Sequence, residues 1–91
     1  MAGYIAEFSN GMKNEVKQSK REYGAAYLTI VKCEGKEHIF KGWSRDKRLA
    51  ERSSLSEPRF YLKDRKQYGT GKLIPAGEII FREVVKAQKV S

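Results

Sequence analysis

The chain has 91 residues, a net charge of +8, one cysteine and one histidine. At this length the expectation is one domain over residues 1–91 with one modest core, too small for a deep catalytic cleft supported on every side. Cys33 alone excludes an intramolecular disulfide, and Cys33 with His38 does not make up the ligand set of a structural zinc site.

In chain order, Asn10-Gly11 separates two short runs, and this pair tolerates the positive φ angles of a type I′ turn. The spacing predicts a hairpin of Gly3 to Ser9 with Met12 to Gln18. Its second strand has only Val16 as an apolar anchor, which marks a lysine-rich sheet edge over residues 12–18 where a second copy could pair to form a homodimer.

Residues Ala25 to Cys33, AAYLTIVKC, are the most strand-like stretch, with apolar side chains on both faces, and so predict a central strand. Glu37 to Trp43 follows as its hairpin partner. Ser44 is the expected N-cap of a short helix, RDKRLAERS, with Leu49 and Ala50 as its core contacts and Asp46 in its first turn. Residues 53–58, ending in Pro58, read as a loop.

Arg59 to Lys63, RFYLK, then reads as a strand whose alternation sends Phe60 and Leu62 inward and Arg59, Tyr61 and Lys63 outward. Gly77 to Val85 predicts the last strand, and residues 87–91 a frayed tail. The order is β-β-β-β-α-β-β, an α+β class: a small antiparallel sheet with one short helix packed on it.

Catalytic patterns fail where they are testable. Gly-Thr-Gly-Lys at 69–72 ends like a phosphate-binding loop, but Lys66 occupies the first-glycine position and Leu73 replaces the serine or threonine. It reads as a hairpin tip. His38, inside a strand, has no nucleophile pattern around it. An acid and a lysine two residues apart, common in metal-dependent nucleases, occur at Asp64/Lys66, Glu15/Lys17 and Glu34/Lys36, too often in a lysine-rich chain to single out a site. The expectation is no enzyme, no cofactor and no metal.

Charge is more informative. Between Lys41 and Lys72 ten basic residues stand against four acidic ones, a field that attracts polyanions. Basic groups interleaved with rings suit nucleic acid, because cations meet phosphates and rings meet unpaired bases. The candidates are Arg59, Tyr61, Lys63, Arg65, Lys66, Tyr68 and Lys72, joined by Lys47, Arg48 and Arg52 from the helix and by Lys17, Lys20 and Arg21, with Tyr23, at the exit of the edge strand.

The leading expectation is a small basic module that engages nucleic acid, DNA or RNA, with little sequence specificity. The alternative is a regulator or inhibitor that docks on an acidic surface of a host protein, and a nuclease is the third reading. No apolar run approaches the roughly 18 residues of a membrane span, and the expectation is a soluble, cytoplasmic protein with no membrane partner.

The segment SKREYGAAYLTI, followed by a glycine turn and FKGWSRDKRLAER, resembles a pattern in small phage-encoded proteins of unassigned function. The shared elements are a Ser-Lys/Arg-x-Tyr strand start, an aromatic strand, and an aromatic-Ser entry into a Leu-Ala helix, over residues 16–52. Gly24 and Ala25 replace the Thr-His usual after the tyrosine. The resemblance implies a phage or prophage accessory protein in a bacterial host cell, acting by binding to nucleic acid or to a host protein.

Overall fold

In a computed structural model, which describes residues 2–90, the uniformly apolar stretch is the centre of the molecule. This strand, here β3 (Ala25–Cys33), leaves Ala25, Ala26, Leu28, Thr29 and Val31 with no exposed surface. It lies between β4 (Lys36–Ser44) and β7 (Glu78–Lys86) in an antiparallel sheet of order β4-β3-β7. Burial on both faces explains why its sequence does not alternate.

One face carries the helix α1 (Lys47–Ser56), where Ala50 packs with Ala25 and Tyr27. The other face carries β1 (Ala2–Glu7) and β2 (Lys13–Ser19), whose Ala6 and neighbouring Phe8 pack against Ala26, Leu28 and Ile30. The class is α+β, small antiparallel sheets with one helix, and β2 stands at the edge of its sheet as its lysines predict.

The first hairpin turns differently from expectation. Asn10 keeps negative φ, Gly11 alone is left-handed at 89°, and the Phe8 amide donates to the Met12 carbonyl at 2.9 Å across a three-residue loop. The two-residue turn belongs instead to Glu34 and Gly35, with φ of 53° and 75°, between the paired Cys33 and Lys36.

The helix starts later than predicted and runs further. Ser44 is still in β4, paired with Ala25, and Asp46 is the N-cap, its Oδ1 accepting the Leu49 amide at 2.9 Å. Ser54 does not stop the helix because its polar groups are satisfied there. Ser54 donates to the Glu51 carbonyl at 2.6 Å and accepts from Arg82 Nε at 2.8 Å, and Thr29 donates to the Ser54 carbonyl at 2.6 Å. These bonds tie α1 to both β3 and β7.

Arg59–Leu62 is a 3-10 helix rather than a strand. Pro58 opens it, and the Tyr61 amide donates back to the Pro58 carbonyl at 2.9 Å. This geometry exchanges two of the predicted positions: Phe60 is 55 % exposed, while Tyr61 turns in and stacks on His38 at 4.2 Å; Arg59 and Lys63 stay outward as expected. The chain then makes a short hairpin, β5 (Arg65–Lys66) with β6 (Leu73–Ile74), whose tip contains left-handed Gly69 and Gly71. Gly-Thr-Gly-Lys is a hairpin tip, as its failed motif implies.

The tail is not frayed where it is described. β8 (Gln88–Lys89) pairs with Tyr4 and Ile5 of β1, and the Val90 amide donates to the Gly3 carbonyl at 2.9 Å. Polar side chains conceal this, because the segment is held by its backbone. Tyr27, under α1 and against Gly42, has its hydroxyl pushed up to about 12 by burial and then by the Glu57 carboxylate beside it. It therefore stays neutral at ordinary pH and has no acid–base role there.

Candidate nucleic-acid interface

The fold divides the basic residues between two ends of the sheet. β3 is nine residues long, about 26 Å from first to last Cα at the usual rise. At its far end, Gly77 packs against Lys32 and Cys33, and the β5–β6 hairpin carries Lys66, fully exposed Tyr68 and Lys72. At its near end, Gly24 meets Arg45, with the Gly24 amide donating to the Ser44 carbonyl at 2.9 Å. The predicted single face is two regions.

Toward the far end, where the Tyr61 carbonyl accepts the Gly77 amide at 2.7 Å, Arg59 and Lys63 are exposed beside Phe60, with Arg59 Nη1 donating to the Ser56 carbonyl at 3.1 Å. Arg65 is occupied. Its guanidinium carbon lies 4.6 Å from the Phe60 ring and 4.8 Å from the Tyr61 ring, and its Nη1 is shut off from solvent. Tyr61 is likewise committed to His38, Phe40 and Phe60. Cation–π contact and ring stacking make this a structural cluster.

The near end is built differently. Tyr23, in the connection after β2, stacks on Trp43 of β4 with ring centres 5.6 Å apart and planes 22° apart. Buried Tyr4 of β1 braces both, 5.4 Å edge-on from Tyr23 and 6.1 Å from Trp43. Tyr23 and Trp43 form a wall of a hollow of about 530 Å³, completed by Leu49 and by Arg21, Glu22 and Arg45, while Tyr4 behind them lines the neighbouring hollow. Gly24 permits this construction, since a Cβ there would sit 2.3 Å from the Arg45 carbonyl oxygen.

Two further hollows adjoin it. One, of about 370 Å³, shares Arg21 and Glu22 and adds Lys20 and Lys89. The other, of about 460 Å³, shares Arg45 and Leu49 and adds Arg48 and Arg52 from the exposed face of α1. The row thus holds six cations and two acids, Glu22 and Asp46, and Asp46 is engaged as the helix cap. Among the described residues the one salt bridge is Lys13 to Glu7, so none of these six cations is ion-paired.

Of the predicted residues, the row brings together Lys20, Arg21, Tyr23, Arg48 and Arg52. Lys47 is exposed at the start of the same helix, and Lys17 lies on the edge strand β2. Sequence reasoning did not place Trp43, Arg45, Leu49 or Lys89 in the site. A signal for most of them was available: a two-residue turn at Glu34-Gly35 fixes the register that pairs Trp43 with Ala26, and so brings Tyr23-Gly24 beside Ser44-Arg45.

Among the described residues, no group of three or more His, Cys, Asp or Glu could hold a metal ion, and no helix is long and apolar enough to cross a membrane. No protein-family model, curated protein or solved structure matches the chain.

Proposed function

We propose that the protein is a non-enzymatic binding module that holds nucleic acid through its phosphates with little base-sequence selectivity. The observation that carries this reading is the row of adjoining hollows lined by six cations without an internal ion pair. Unpaired guanidinium and ammonium groups in a row match a polymer that presents anions at regular intervals, and their counterion release makes binding strongly salt-dependent. Arg48 and Arg52, four residues apart, lie on one exposed helix face. The ten-residue α1 is packed along its other face, an unsuitable arrangement for a recognition helix that reads base edges in a groove. A phage or prophage accessory role in a bacterial host cell belongs to the same proposal, through the resemblance of residues 16–52.

Fluorescence anisotropy with labelled DNA and RNA oligomers across a salt series tests it. Affinity should fall steeply as salt rises, and Arg48→Glu with Arg52→Glu should reduce the log–log salt slope by about 2. Lys63→Glu with Lys66→Glu, away from the row, should leave the slope nearly unchanged. Absence of any complex at about 50 mM salt, where phosphate binding is strong, would overturn the reading.

A further inference from the structure

Resting on that reading, we propose that the middle hollow is a seat for an unpaired base, so that the nucleic acid held is single-stranded. The three hollows are not alike. Those at either side are lined mainly by polar and charged groups, whereas the middle one takes its wall from Tyr23, Trp43 and Leu49. Cations therefore lie on both sides of an aromatic site, the sequence of phosphate, base and phosphate that a single strand presents. Along its length a duplex keeps its base faces stacked inside, and only at free ends has it any to offer these rings.

The seat is formed before a ligand arrives. Tyr4, Tyr23 and Trp43 come from β1, the β2–β3 connection and β4, and their mutual contacts at 5.4–6.1 Å fix the ring pair from three directions. Little side-chain freedom is left to lose on binding, which favours affinity. The hollow's roughly 530 Å³ falls within the range of about 300–1,000 Å³ typical of ligand clefts. Its occupant is decided by charge complementarity: Arg21 and Arg45 join the ring wall to the cationic hollows at each side, so the ring-bearing ligand is also a polyanion.

Trp43 is the only tryptophan, so emission excited at the red edge of the absorption band, where the five tyrosines do not absorb, reports on this side chain of the hollow's wall. A short thymidine oligomer should bind and quench Trp43 emission, while a closed circular duplex, which has no terminal pairs to stack, should bind roughly tenfold more weakly at equal phosphate concentration and leave the emission unchanged. Tyr23→Ala should weaken single-strand binding roughly tenfold without altering the salt slope, and Tyr23→Phe, which keeps the ring, should retain it. Equal binding of strand and duplex with unaltered emission would overturn the base seat and leave phosphate holding intact. Failure of both nucleic acids to bind would overturn both. Because the wild-type titration decides between these outcomes, a variant that folds poorly does not leave the question open.

Discussion

Glu34 is the only described non-glycine residue with positive φ, 53°, and it occupies the first position of the turn that joins β3 to β4. An L-residue with a long side chain is strained there, whereas asparagine populates this region readily and is favoured at that position of a type I′ turn. Glu34→Asn is expected to stabilise the fold by about 1 kcal/mol. Differential scanning calorimetry should show Tm rising by roughly 4–8 °C for a domain of this size. An unchanged or lower Tm would show that the turn carries no such strain. The position also matters for the groove, because the turn sets the register that places Trp43 opposite Ala26. Tyr27 and Gly42 depend on the same register: the Tyr27 ring lies where a Gly42 side chain would start, 2.6 Å from its hydroxyl.

At the scale of elements, α1 owes its start to one carboxylate. Asp46 has extended backbone, φ −146° and ψ 170°, and its Oδ1 accepts the Leu49 amide, anchoring the first turn that carries Arg48, with Arg52 one turn further on. Asp46→Ala should cost about 1 kcal/mol in urea unfolding, and Asp46→Asn, which keeps the acceptor, should lose much less. Equal losses in both would assign the effect to charge near the helix end instead of the cap bond. How legible the elements were follows from what holds each of them. β3 was read with its observed bounds because burial on two faces leaves a continuous apolar run. Arg59–Leu62 was misread because its alternating pattern also fits a 3-10 turn, and only Pro58 and the receiving rings His38 and Phe40 decide between them. β8 was missed because hydrogen bonds from the β1 backbone hold it, and no side-chain pattern records those. The candidate site was half visible. Arg21, Arg48 and Arg52 stood out by charge, but Trp43 and Lys89 lie far from Arg21 in sequence and join it only through strand register.

The whole molecule is long for its size, with extents of 49 × 25 × 21 Å and a radius of gyration of 15.3 Å against about 12 Å expected for a compact chain of this length. An elongated body with little core must keep its layers together by specific contacts, and the tip of the first hairpin has one. The Ser9 amide and hydroxyl donate to the two carboxylate oxygens of Glu83 on β7, at 2.8 and 2.6 Å. The Ser9 hydroxyl first, and its amide second, hold the Glu83 carboxyl below its ordinary value. The sign follows: this contact stabilises the docked hairpin above the ordinary carboxylate pKa of about 4.3, and the stabilisation is lost as pH falls through the lower folded value. Amide hydrogen exchange should therefore show Ser9 and the neighbouring hairpin amides losing protection as the solution is acidified, beyond the intrinsic pH dependence of exchange. In Glu83→Gln, protection near neutral pH should already be lower, and this part of the acid dependence should disappear. An identical acid response in the variant would place the titrating group elsewhere. The consequence reaches the groove, since the same hairpin carries Tyr4, which braces Tyr23 and Trp43. Acidification should therefore shift Trp43 emission in the wild type with the same midpoint as the exchange of Ser9, and Glu83→Gln should abolish that shared transition.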